Sequence, residues 1–69
     1  MKNTYIAISI QENEKNYAYV IKVNESENLL SKLKIKGITH ANICSTKKQA
    51  EKVVNYWNEC YKNNGTNLF

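Results

Sequence analysis

The chain has 69 residues, with ten lysines and no arginine, six glutamates and no aspartate, and a net charge of +4. That length allows one domain with a single small core. No stretch approaches the roughly 18 apolar residues of a membrane-spanning helix, and two glycines with no proline argue against long irregular loops. Met1, Lys2 and Asn3 lead straight into a strand-like stretch without the apolar centre of a signal peptide, so a cytoplasmic location is expected. Cys44 and Cys60 are then expected as free thiols, and a disulfide would require export.

Thr4 to Gln11 alternates strictly. Ile6, Ile8 and Ile10 share one side and Tyr5, Ala7 and Ser9 the other, which predicts a strand with one dry face. Glu12 to Lys15 is short and polar and reads as a hairpin turn. Asn16 to Val23 is the return strand. Its two sides carry Tyr17, Tyr19, Ile21 and Val23 against Ala18, Val20 and Lys22, and neither is cleanly polar. This strand is therefore central, or its second face is covered, for instance by another copy of the chain. Asn24 to Lys34 changes period. Asn24 with Glu27, or Ser26 alone, can cap a helix of two to three turns with Leu29, Leu30 and Leu33 along its apolar edge. Ile35, Lys36 and Gly37 form a break, since Gly37 can take positive φ. Ile38 to Cys44 then reads as a third strand.

The strongest local signal is the last segment, Ser45 to Gly65. Thr46 as N-cap with Gln49 three residues on makes a capping box. Ala50, Val53, Val54, Trp57, Cys60 and Tyr61 recur at helical spacing as one stripe, with Tyr56 at its border. Lys48, Glu51, Lys52, Asn55, Asn58, Glu59 and Lys62 fall on the opposite side. Gly65 suits a left-handed C-cap. The tail, Thr66 to Phe69, ends in two apolar residues expected to dock on the body.

The order β-β-α-β-α predicts a two-layer α+β domain spanning residues 1–69, with a three-stranded sheet and the long C-terminal helix packed on one face. The helices are expected on the same face. The third strand either forms a parallel pair through a right-handed crossover or lies beside the first, making all three antiparallel. The antiparallel arrangement is the favoured one.

Catalysis finds little support. His40 and Cys44 share a strand face but lie about 13 Å apart at 3.3 Å per residue, too far to hold one ion. Cys60 is the only other soft ligand, where a structural zinc site needs four. A thiol–imidazole pair has neither an aspartate nor a glycine-rich oxyanion loop beside it. Glu12 with Glu14, and Glu25 with Glu27, read as solvated charges. No phosphate loop or dinucleotide fingerprint is present. A non-enzyme without metal or cofactor is expected.

Two kinds of binding are left. The first is protein–protein interaction or self-association. Tyr5, Tyr17, Tyr19, Val20 and Lys22 mark the candidate surface on the sheet, and Trp57 and Tyr61 are large rings on a small body. A small sheet also has open edges, and a homodimer would cover its second face. The second is largely non-specific nucleic-acid binding. Lys32, Lys34, Lys36, Lys47, Lys48 and Lys52 flank the third strand and would neutralise phosphates. Without arginine there is no bidentate fork to read guanine.

The stretches YAYVIKV (17–23), NLLSKLKIKGI (28–38), ANIC (41–44), TKKQAE (46–51) and WNECYKNNGT (57–66) resemble a group of small uncharacterised proteins from Gram-positive, mainly gut, bacteria and their mobile elements. The likeness spans most of the chain. It implies a phage- or transposon-borne accessory role, for instance inhibition of a host complex, and no site. A local likeness, a strand running into TKKQAE, is to the arm-binding domains of tyrosine integrases, which insert a three-stranded sheet into DNA. Here a helix intervenes between strands two and three, and arginines are missing.

Overall fold

The computed structural model describes residues 3–67. The elements run β1 (Asn3–Glu12), β2 (Lys15–Asn24), α1 (Leu29–Lys32), β3 (Ile38–Cys44) and α2 (Lys47–Asn63). The three strands form one antiparallel sheet in the order β2-β1-β3, the arrangement favoured from the sequence. β1 and β2 join through Asn13 and Glu14, both at positive φ (51° and 66°). This is the primed turn whose twist matches a hairpin.

β1 is central, and the expectation that it has one dry face is corrected: Ile6, Ala7, Ile8, Ser9 and Ile10 are all buried. The helix-side cluster gathers Ala7, Ala18, Cys44, Ala50 and Val54, with Tyr5, Val20, Val53, Trp57 and Tyr61 packed on it. The cluster on the other face gathers Ile6, Ile8, Ile10 and Val23, joined by Tyr17, Tyr19, Ile21, Leu29, Leu33, Ile35 and Ile38. The two helices therefore pack on opposite faces of the sheet, not on the same one. β2 is an edge strand with both faces lined; on its second face Tyr17, Tyr19 and Ile21 are half-buried in the cluster that Leu29, Leu33 and Ile35 join.

α1 is a single turn, shorter than the two to three turns expected. Asn28, not Asn24 or Ser26, caps it, accepting from Leu30 N at 2.9 Å. Asn24 and Glu27 instead close a turn on each other, Asn24 N donating to Glu27 Oε1 and Glu27 N to Asn24 O, both at 3.0 Å. Lys32 adds an ion pair to Glu27 at 2.6 Å. Lys32, then the Asn24 amide, hold the Glu27 carboxyl below its ordinary value. Each of these contacts stabilises a turn around Glu27, so the helix starts only after it.

α2 follows the sequence closely. Thr46 Oγ1 accepts from Gln49 N at 3.2 Å, while the Gln49 side chain turns to the Ser45 hydroxyl (3.0 Å) in place of the reciprocal capping-box bond. At the C-terminus Gly65 N donates to Lys62 O and Thr66 N to Tyr61 O, with Gly65 at φ +70°. Those two bonds are the Schellman pair. Ala50 and Val54 are buried on the sheet, and Trp57, Cys60 and Tyr61 are half-buried. Tyr56, at the stripe's border, is 68% exposed. Residues 68 and 69, the apolar end expected to dock, lie outside the described residues.

Candidate interaction surface

The two edges of the sheet are treated differently. On β2 the outward backbone of Ala18 is met by Asn58 of α2. Asn58 Oδ1 accepts from Ala18 N at 2.8 Å, and Asn58 Nδ2 donates to Ala18 O at 3.1 Å. One side-chain amide thus takes the place of a neighbouring strand's peptide. Next along the edge, Asn16 N donates to Thr66 O and Asn16 bridges in parallel to Asn67. Asn58 reads from the sequence as a solvent-facing helix residue; its part-buried place corrects that. No local signal marks it, because the strand it serves is 40 residues away in the chain.

β3 forms the other edge. Tyr5 pairs with Cys44, Ala7 with Asn42 and Ser9 with His40. The odd-numbered residues of β1 direct their backbone toward β3, as the bond from Gln11 N to Gly37 O (2.9 Å) shows. By the alternation of an antiparallel ladder, Ala41 and Ile43 then direct their N–H and C=O groups outward. Among the described residues nothing pairs with them. Thr39 to Ile43 are five consecutive exposed residues, and Ile43 is 55% exposed. α2 lies mainly over β2 and β1 and least over β3. A groove of about 730 Å³ opens where β3 meets the start of α2, walled by Asn42, Ile43, Gln49, Lys52 and Val53. Lys52 is the only charge in that wall among the described residues.

Beside this edge runs a chain of hydroxyls. Ser9, wholly buried, is hydrogen-bonded to the Tyr61 hydroxyl. The Thr39 hydroxyl donates to Ser9 O at 3.1 Å, and His40 Nδ1 lies 3.3 Å from Thr39 Oγ1. The His40 ring leans on Trp57, centroids 5.8 Å apart. Thr39 is the extra residue of a bulge, since Ser9 pairs with His40 and Ile10 with Ile38. These bonds satisfy a hydroxyl inside the core and anchor the bulge.

The residues expected to mark a sheet surface are divided between its two faces. Tyr5, Val20 and Lys22 lie on the α2 side; Tyr17 and Tyr19 lie on the other, their rings stacked at 5.6 Å. Burial, then the neighbouring Tyr17, raise the Tyr19 phenol above its ordinary value. The lysines fall into two groups. Lys32, Lys34 and Lys36 precede β3 and Lys47, Lys48 and Lys52 follow it, about 20 Å apart for seven strand residues. Lys32 is paired with Glu27, and Lys47 lies 3.8 Å from Glu51. His40 and Cys44 share the α2 side of β3, and no three potential metal ligands come together among the described residues. Cys44 is buried and Cys60 half-buried, both as free thiols. No helix among the described residues is long and apolar enough to cross a membrane. Searches found no matching family model, curated protein or solved structure.

Proposed function

We propose that the protein is a non-catalytic binding module that acts on another protein through the open edge of β3. The observation that carries this reading is the contrast between the edges. Asn58 and the tail cover β2 at Ala18 and Asn16, and the exposed Lys22 guards the half beyond them, whereas β3 has exposed side chains, no backbone partner along its outer side among the described residues, and no Lys, Glu or proline of its own along Ile38–Cys44. Folds that do not use an edge usually protect it with such residues. A bare edge supports strand addition, in which main-chain bonds supply affinity and alternate side chains supply selectivity. The resemblance to mobile-element proteins fits an accessory role of this kind, with a host complex as the target. The nucleic-acid reading is weaker, because the lysine groups sit a strand's length apart and two of the lysines are already paired.

The test is to pan a displayed library of random decapeptides on the whole protein. Retained peptides are expected to protect the Ala41 and Ile43 amides from hydrogen exchange. Peptides that protect only other amides, or an absence of enrichment, would sink the reading.

A further inference from the structure

We infer that the partner segment is an extended strand alternating apolar and acidic residues, and that Lys52 selects it. This rests on the β3 edge as the docking surface and adds the chemistry of its occupant. A strand added to β3 sends successive side chains to opposite sides of the sheet. On the side away from α2 they meet Ala41 and Ile43, which pair across β1 with Ile8 and Ile6 and continue that apolar face outward. On the α2 side they meet Asn42, Gln49, Val53 and Lys52 along the groove wall. The incoming strand therefore needs an apolar residue against Ile43 and polar neighbours toward the helix. Lys52 brings a cation to a wall that holds no carboxylate among the described residues. Lys48, one helical turn before it, adds a second cation on the same flank of α2. Both are exposed and have no ion-pair partner among the described residues. An acidic residue on that side gains two cations; a basic one meets repulsion on a molecule already carrying +4.

Charge also argues against a second copy as the occupant. Two-fold pairing of β3 with itself is antiparallel. It brings the Lys34–Lys36 end of one chain against the Lys47–Lys48 end of the other, and opposed like charges destabilise a strand pair. β3 itself carries no acid to offer Lys52.

The peptides that protect Ala41 and Ile43 in the panning experiment decide the matter. They are expected to alternate apolar residues with Glu or Asp. Lys52→Glu is expected to weaken them about tenfold, since it turns an attraction into a repulsion, and raised salt should weaken them as well. Because Lys52 is exposed, its replacement leaves the fold intact, which the unfolding midpoint in urea verifies. Edge-binding peptides that are neutral or basic, or indifferent to Lys52→Glu, overturn the acidic partner while leaving the docking edge standing. Two further outcomes also overturn it. One is light scattering near twice the 8.0 kDa chain mass with Ala41 and Ile43 protected in the free protein, which makes a second copy the occupant. The other is an oligothymidine that protects the same amides and displaces the peptides, which makes it a nucleic acid.

Discussion

Gly37 and Glu27 show how single residues set the path of the chain around the sheet. Gly37 stands at φ +84°, and a Cβ there would lie 2.7 Å from the backbone oxygen of Gln11. Both the conformation and the space exclude a side chain, and the obstructing atoms belong to the Gln11 backbone, which cannot move aside as the end of a flexible side chain could. Gly37→Ala is expected to destabilise the protein by about 2–3 kcal/mol, read as a lowered urea midpoint. An unchanged midpoint would show that the close approach of β1 and this turn is not required. Glu27 acts through charge. Its folded pKa lies below its unfolded value, so its stabilising contribution is complete above the ordinary carboxylate pKa and is lost as pH falls through the lowered one. In an NMR titration the Asn24 amide, which donates to Glu27, should report that low midpoint. Lys32→Ala should raise it, because Lys32 is the larger cause. A midpoint indifferent to Lys32 would contradict the ion pair. The signals for these two residues differ in legibility. A lone glycine between the α1 segment and an alternating strand announces a turn, whereas Glu27 reads equally well as a helix-start acid until its partners are known.

At the scale of elements, α2 is the piece most fully written in local sequence. Its stripe, its Thr46 cap and its Gly65 stop all appear where they were expected, because each depends on residues within four or five positions. The hairpin is legible for the same reason. What α2 does with Asn58 is not local. The amide serves as a substitute peptide for an edge strand, so its removal should loosen that edge more than it loosens the helix. Asn58→Ala leaves the N–H and C=O of Ala18 without partners at a buried position, for a loss of about 1–3 kcal/mol. Asn58→Asp keeps an acceptor for Ala18 N but cannot donate to Ala18 O, and should fall between. Hydrogen exchange at Ala18 should accelerate in the same order. Equal exchange in all three proteins would mean that Asn58 does not close this edge. The shortness of α1 has a similar origin. Its leucines suit a longer helix, but the Asn24–Glu27 turn and the Asn28 cap compete for the same backbone and set a later start.

The whole molecule separates a region that holds the fold from an edge that stays exposed. Ile6 and Ile8, wholly buried at the centre of β1, stand against Ile43, paired with Ile6 yet more than half exposed. Ile8→Ala is expected to cost about 3 kcal/mol through lost transfer energy and a residual cavity, a large share of the stability of so small a domain. Ile43→Lys should stay within about 0.5 kcal/mol. Comparable losses for the two would mean that Ile43 is covered in solution, and the open edge with it. Much of this architecture could be read in advance. The element order and the packing of the long helix followed from period, caps and turns, whereas the antiparallel place of β3 was the favoured one of two arrangements that the sequence left open. Those signals reside in short stretches of chain, where side-chain spacing and backbone geometry act directly on one another. The tertiary structure alone decided that β1 is buried on both faces, that the two helices lie on opposite sides of the sheet, and that one edge is covered at Asn16 and Ala18 while the other has no partner among the described residues. The physical reason is that burial depends on what arrives from distant chain. Ile6 and Ile43 are both isoleucines in alternating strands, and only the packing around them makes one a core residue and leaves the other exposed at the edge of the sheet.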